Sequence, residues 1–240
     1  MEQPTEQTVE NSMNMISYAM LFVASVFIFV IAEGIRYFLA QYQLSPLFIS
    51  FCVGFILFTP LVSLVLHGLL KSASFAVVEV FDSIWANIGL VIVVQGLFFF
   101  IWMTDAVAVY SIYVDQDSFL AQTFQISSSA ENANFSLTTE FYWANLLLAW
   151  GFAWLSLAIG VVPCLAARIS QFGVVSSLLV GFKFAKTYWQ MILLHALLIA
   201  SSVVFTLLYA KFLFLLAFPI AIIYSFKKLA YKYQHQLLTE

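Results

Sequence analysis

Charged residues are scarce in this 240-residue chain: Asp, Glu, Lys and Arg together make up only 9% of it. Ordinary soluble domains carry about 25% charged residues. The nine cationic residues form no long run, and the formal net charge is −3. Because a nucleic-acid-binding surface needs clustered positive charge, we expect no nucleic-acid partner.

The sequence also has little from which a metal centre or a catalytic site could be built. It contains two cysteines and three histidines. No CxxCH or HExxH motif, glycine-rich phosphate loop or Ser/His/Asp set is present. His67 and His195 could lie at similar depths, which is the minimum condition for sharing a metal or haem, but no carboxylate or thiol accompanies them at ligand spacing. We therefore predict a non-catalytic protein with no metal and no cofactor.

Lys and Arg are absent from residues 1–14, which carry only acidic charges. A cleavable signal peptide needs a basic start and a small-residue cleavage site, and neither is present. The first hydrophobic run is therefore expected to be retained. The sequence predicts that residues 1–14 form a disordered tail.

Hydrophobic residues make up 63% of the chain, with 26 Phe, 11 Tyr and 6 Trp. An uncharged apolar run of 18 or more residues indicates a transmembrane helix, because about 20 residues cross a ~30 Å hydrocarbon core. The sequence predicts an all-α, polytopic membrane protein with a single domain over residues 15–232. Its six transmembrane helices are predicted near residues 15–39, 46–70, 87–109, 141–167, 188–209 and 212–226.

Two further segments, residues 71–86 and 169–187, mix apolar and polar positions. Such a pattern is typical of short helices that lie in the membrane interface. We predict one interfacial helix in each segment, both on the cytoplasmic side. Residues 113–140 form the longest hydrophilic segment and are predicted to be an external loop, whereas residues 233–240 are predicted to be a second tail.

The distribution of cations predicts the orientation. Six spans place both termini on one side, together with Lys71, Arg168, Lys183, Lys186, Lys227, Lys228 and Lys232. Only Arg36 and Lys211 lie opposite. Because Lys and Arg mark the cytoplasmic side of a membrane protein, both termini are predicted to be cytoplasmic. The lipid bilayer is the expected partner on every outward face.

Each inward-running span contains one proline: Pro60, Pro163 and Pro219. Proline removes a backbone donor and kinks a helix, so we predict a kink at each position. The spacings from Pro60 to Trp85 and from Pro163 to Trp189 are nearly equal, which favours a parallel duplication of a two-helix unit. The alternative is that proline is simply well tolerated in membrane helices.

Polar residues inside the predicted spans are the candidate site residues. Gln95, Asn145 and His195 must find hydrogen-bonding partners within the bundle, since lipid offers none. They either join helices to one another or line a solute path. Glu33 and Arg36 are three residues apart and can pair on one helix face. That pair is either an interfacial ion pair or a functional charge site.

Four apolar motifs follow one another along the chain: Gly54–Pro60, Leu97–Met103, Val161–Pro163 and Ala217–Pro219. In their order and spacing, over residues 15–232, the chain resembles a proteobacterial family of six-span integral membrane proteins known only as a domain of unknown function. The resemblance implies the inner membrane of a Gram-negative bacterium and supplies no activity. The family tends towards a basic residue after the second motif, whereas Thr104 and Asp105 stand here.

Two functions fit these observations. Spans rich in aromatic and apolar residues and poor in charge favour a non-catalytic accessory, assembly or scaffold component, with other inner-membrane subunits as partners. The proline-containing spans and the approximate repeat favour a transporter or channel for a small neutral or apolar solute.

Overall fold

The computed structural model describes residues 6–42, 44–69, 77–111, 135–170 and 173–237, and no strand occurs within them. The α-helices of this part of the chain are α1 (Glu6–Gln41), α2 (Phe48–Ile56), α3 (Thr59–Ser63), α4 (Val77–Val109), α5 (Phe135–Leu155), α6 (Val162–Ser170), α7 (Val174–Thr187), α8 (Trp189–Tyr209) and α9 (Phe214–Leu237). A π-helical segment, Ser156–Val161, joins α5 to α6. The same described part of the chain contains the 3-10 helices Ser45–Leu47, Leu64–Leu69 and Lys211–Leu213.

Within the described residues, five helices are long and apolar enough to cross a membrane, and there are six if one bent pair counts as a single span. The five are Met15–Gln41, Trp85–Val109, Thr139–Ser170, Trp189–Tyr209 and Lys211–Gln236; the bent pair is Ser45–Ile56 with Thr59–His67. The chain is thus an all-α membrane protein, as the apolar runs predicted.

Both ends of the chain are more helical than predicted. Helix α1 begins at Glu6, so residues 6–14 are helical rather than a disordered tail, and residues 1–5 lie outside the described residues. At the other end, α9 continues to Leu237, through most of the tail predicted over residues 233–240. Neither stretch contains a glycine or proline. Extending an existing helix is far easier than starting one, so each span continues outwards.

The first predicted interfacial helix is not a separate element. Helix α4 runs from Val77 to Val109 without a break, so the prediction is wrong for residues 77–86, and residues 71–76 lie outside the described part. The second prediction corresponds to α7, a 14-residue helix within residues 169–187. The predicted external loop, residues 113–140, falls mostly outside the described residues, and α5 already includes residues 135–140.

The spans Thr139–Ser170 and Trp189–Tyr209 are the most deeply buried. About half of the most apolar stretch of each is buried, 50% and 56% respectively, against 22% for α1 and for α4. In the first of them the burial is concentrated in the π-helical segment and α6. The helices α1 and α4 therefore lie at the periphery and present most of their apolar surface outwards. In a membrane protein such faces contact lipid or other membrane proteins.

Pro60 has the predicted effect on its helix. The chain breaks at residues 57–58, and α2 and α3 meet at 48°. Pro163 instead stands at the second position of α6, directly after the π-helical segment. Helix α9 continues through Pro219 without a break. A proline removes one helical hydrogen bond, and neighbouring helices allow membrane spans to tolerate that loss.

Helix α7 packs closely on the proline-containing part of the preceding span. A Cβ atom built on Gly181 would lie 2.7 Å from Pro163 Cγ and 2.9 Å from the carbonyl oxygen of Ala158. Only glycine permits this approach between helices, as is usual where membrane helices pack tightly. The contact fixes α7 against α6 and the π-helical segment.

Candidate functional site

The two irregular parts of the bundle, the α2–α3 break and the π-helical segment, pack against each other. A Cβ atom built on Gly160 would lie 2.2 Å from Pro60 Cγ, which is closer than any real contact. The Ser156 hydroxyl donates a hydrogen bond of 3.2 Å to the carbonyl oxygen of Ile56. That carbonyl stands four residues before Pro60, which has no N–H to offer it. We call this contact region the junction.

Gln95 of α4 faces the junction. Its side chain is fully buried, and its Nε2 atom would lie 3.6 Å from a Cβ atom on Gly160. Neither Nε2 nor Oε1 has a hydrogen-bond partner among the described residues. Leaving a buried polar group unpaired costs about 1–3 kcal/mol. Gln95 therefore does not join two helices by a hydrogen bond between described residues.

One face of α4 carries this residue towards the broken span. Asn87, Ile88, Val91 and Gln95 are buried and recur at helical spacing, whereas Ile92 is exposed. Spacings of three and four residues place side chains on a common helix face. Ile88 and Val91 share a small apolar cluster with Leu64, Cys164 and Ala167.

These contacts imply an antiparallel register between α4 and the broken span. Gln95 lies level with Pro60, and Leu64 lies level with Ile88 and Val91. The same register brings Thr59 to the level of Gln95, and His67 to the level of Asn87. On α4, eight residues separate Asn87 from Gln95, which is about 12 Å at 1.5 Å per residue.

All four of these polar residues have buried atoms without a partner in the described part of the chain. The atoms are Thr59 Oγ1, Asn87 Oδ1, both ring nitrogens of His67 and both amide atoms of Gln95. By this register Thr59 shares a level with Gln95, and His67 shares a level with Asn87, although the His67 ring itself packs on Phe226. We call these two levels the inner layer and the end layer, respectively.

His67 in the end layer is held by ring packing rather than by hydrogen bonds. Its ring centroid lies 5.2 Å from that of Phe226. Arg168, at the end of α6, is close enough for its charge to act on the imidazole. The structure thus places His67 against α9.

Asn145 behaves as a residue that joins helices. Its Oδ1 accepts a 2.8 Å hydrogen bond from Ser50 Oγ, and its Nδ2 donates to the Phe141 carbonyl. Trp102 Nε1 donates in turn to the Ser50 carbonyl at 3.1 Å. The network ties α2, α4 and α5 together, so it satisfies the polar groups that it buries.

His195 is also partnered. Its Nδ1 lies 3.4 Å from Ser225 Oγ, and its ring packs on Tyr224 at 5.5 Å. His195 and His67 therefore flank the same stretch of α9, residues 224–226, in agreement with the similar depths predicted for them. Among the described residues, no three His, Cys, Asp or Glu side chains lie close enough to hold a metal ion.

Glu33 and Arg36 form the predicted ion pair at 3.5 Å. Lys211 Nζ also contacts Glu33 at 3.0 Å. Arg36 donates a hydrogen bond to the carbonyl oxygen of Leu207, and its guanidinium lies 4.5 Å above the Phe48 ring. The group fastens α1 to the end of α8 and carries one positive charge in excess.

The sequence indicated only part of the candidate site. Gln95 was identified from its position inside an apolar run, and Pro60 from its predicted kink. Ser156 and Gly160 were missed because a single small residue in an apolar span carries no distinguishing pattern. Thr59 lay inside one of the quoted motifs without being assigned a role.

The unpaired groups of the two layers are an amide, a hydroxyl, a second amide and an imidazole. All of them can donate or accept hydrogen bonds, and Gln95 and Thr59 are themselves uncharged, so this pair suits a neutral polar molecule rather than an ion. No protein-family model, curated protein or solved structure matches this chain.

Proposed function

We propose that this membrane protein binds and passes a small neutral polar solute at the junction, as a transporter or channel. The observation that carries the proposal is the contrast between Gln95 and the other intramembrane polar residues. Asn145 and His195 have partners in the described structure. Gln95 has none, although it is fully buried.

The backbone around Gln95 supports the same function. Membrane spans are regular helices unless irregular backbone is buried in protein or lines a cavity. Transporters place their binding sites at discontinuous helices near the middle of the bilayer. Here a broken helix and a π-helical segment meet beside Gln95, through the contact between Pro60 and Gly160.

The two polar layers suggest a route. A solute that leaves the end layer, at His67 and Asn87, would next find hydrogen-bonding groups at Thr59 and Gln95, about 12 Å further along the helices. The apolar layer between them, which includes Leu64 and Val91, would keep ions out, because an ion loses far more hydration energy there than a neutral molecule.

The test is solute flux into liposomes that contain the purified full chain. Vesicles are shocked osmotically with urea or glycerol, or with sucrose to follow water alone, and their volume is followed by light scattering. We expect flux of at least one small solute above that of empty liposomes, and Gln95→Leu should lower it at least tenfold. Thr104→Val is the matched control, since Thr104 is exposed on α4 and bonds only its own helix.

Flux equal to that of empty liposomes for all of these molecules would contradict the proposal. So would a Gln95→Leu protein that conducts as well as the unaltered chain. An unchanged Thr104→Val protein shows that any loss belongs to the junction and not to α4 in general.

An accessory or scaffold role is the second candidate function, and the peripheral helices favour it. Only 22% of the apolar stretch of α1, and likewise of α4, is buried within the chain. A partner subunit could cover either face. Two experiments test this role: the mass of the purified particle in mild detergent, and cross-linking in native membranes. A monomer with no cross-linked protein would count against it.

We also propose the inner membrane of a Gram-negative bacterium as the location, with both termini cytoplasmic and residues 113–140 external. The cation distribution supports this orientation, with Lys227, Lys228 and Lys232 on the last turns of α9. Protease added to intact spheroplasts should cut within residues 113–140 and spare the C-terminal end. Cleavage only at the C-terminal end would reverse the orientation.

A further inference from the structure

A groove of about 810 Å³ lies between α5 and α8, away from the junction. Its walls come from residues 139–150 of α5 and residues 197–209 of α8, with Ile49 of α2 among the lining residues. Volumes of about 300–1,000 Å³ are typical of sites for small organic ligands. Several lining side chains, among them Trp143, Leu147 and Phe205, are exposed on the outer surface of the bundle. The groove is therefore open at the side.

The position of the groove decides what can reach it. Both walls belong to helices that are long and apolar enough to cross a membrane, Thr139–Ser170 and Trp189–Tyr209. A side opening in such helices faces lipid hydrocarbon. The groove extends for about 17 Å along the helices at 1.5 Å per residue. That length is close to one leaflet, half of the ~30 Å hydrocarbon core.

Trp150 stands at one end of the groove. The Trp150 indole N–H donates a 3.0 Å hydrogen bond to the Leu193 carbonyl, across the interface between α5 and α8. This bond fixes the ring at the apolar end of the groove, next to Leu197. A tryptophan held in this way gives a preformed surface on which a flexible chain can pack.

The other end of the groove is polar and lies beside positive charge. Thr139, Tyr142 and Tyr209 line it. Lys211 follows Tyr209 by two residues and is 43% exposed. Lys211 and Arg36 share one acid, Glu33, whereas the exposed Glu140 stands on the other wall, beside Thr139. Tyrosine and lysine at such a level suit the headgroup region of a membrane.

We propose that the groove binds one acyl chain of an anionic glycerophospholipid. The chain lies along α5 and α8 as far as Trp150, and the phosphate lies near Tyr209 and Lys211. Apolar walls, a length of one leaflet and a half-exposed lysine two residues beyond the polar end all match that one molecule. The site is separate from the junction and does not depend on solute transport.

The experiment is native mass spectrometry of the full chain in mild detergent, titrated with phosphatidylglycerol or phosphatidylcholine. We expect one saturable phosphatidylglycerol per chain and at least fivefold weaker binding of phosphatidylcholine. Ser201→Trp places a large ring in the groove and should abolish the saturable binding. Leu194→Trp is the matched control, because Leu194 is exposed on α8 outside the groove.

Lys211→Gln keeps the walls of the groove and removes the cation, so it should abolish the preference for phosphatidylglycerol while a lipid still binds. Non-saturable binding of many lipids, or equal binding by the Ser201→Trp and Leu194→Trp proteins, would overturn the proposal. If Ser201→Trp misfolds, the phosphatidylglycerol preference of the unaltered chain and its loss in Lys211→Gln decide the question. The thermal midpoint gives a second readout, because phosphatidylglycerol should raise it for the unaltered chain and for Leu194→Trp but not for Ser201→Trp.

Discussion

The Ser156 hydroxyl donates a hydrogen bond of 3.2 Å to the carbonyl oxygen of Ile56, across the contact between two spans. The acceptor is the carbonyl that Pro60 leaves without its helical partner. A break in one helix is thus satisfied by a side chain from the irregular segment of another. Membrane helices tolerate proline because side chains of neighbouring helices can hydrogen-bond the freed carbonyl group.

Ser156→Ala should therefore be costly for its size. It leaves the buried Ile56 carbonyl unpaired, so we expect a loss of about 1–3 kcal/mol in the free energy of unfolding. Thermal unfolding in mild detergent measures it. The matched control is Ser25→Ala, since buried Ser25 bonds only the Leu21 carbonyl of its own helix. If the two substitutions lowered the free energy of unfolding equally, Ser156 would not be supplying the missing hydrogen bond to the Ile56 carbonyl.

Gly160→Ala tests the closeness of the junction. The new methyl group would stand 2.2 Å from Pro60 Cγ, and a proline ring cannot rotate away. Overpacking of this kind costs about 1–3 kcal/mol or more. Gly151→Ala is the comparison, because nothing lies within 4 Å of a Cβ atom there and alanine favours a helix by up to about 1 kcal/mol.

The expected result is a lower thermal midpoint for Gly160→Ala and an unchanged or higher one for Gly151→Ala. A Gly160→Ala protein as stable as the unaltered chain would mean that the two irregular segments do not touch as described.

Asn145→Leu and Gln95→Leu should have opposite effects on stability. The first substitution leaves Ser50 Oγ without its acceptor and should cost about 1–3 kcal/mol. The second removes two buried polar atoms that have no partner in the described structure, so the thermal midpoint should stay the same or rise. A Gln95→Leu protein as unstable as Asn145→Leu would assign Gln95 to helix packing.

The helical class and the positions of the spans could be predicted from the sequence, because uncharged runs long enough to cross a bilayer have few alternatives. The break at Pro60 was predictable for the same kind of reason, since proline acts locally. Where helices end was less predictable. Residues 6–14 and 77–86 carry polar residues but no helix breaker, and the adjoining spans simply extend through them.

The junction could not be predicted because it depends on contacts between segments distant in the chain. Gln95, Asn145 and His195 look alike in sequence, as single polar residues in apolar runs. Only the packing shows that Ser50 reaches Asn145 and Ser225 reaches His195. The π-helical segment has no sequence signal of its own, apart from a glycine and a nearby proline.

The most direct test of a solute site at the junction is the chemical accessibility of position 95. The native cysteines Cys52 and Cys164 are buried, and both are replaced by alanine before Gln95→Cys is introduced. Iodoacetamide, which is small and neutral, is then added to the protein in liposomes. Ala153→Cys serves as a buried reference on α5, where the side chain is 1% exposed.

We expect the Gln95→Cys thiol to be alkylated at least tenfold faster than the Ala153→Cys thiol, and more slowly when a conducted solute is present. Two thiols that are equally unreactive in the folded protein, and that react only after denaturation, would contradict the account.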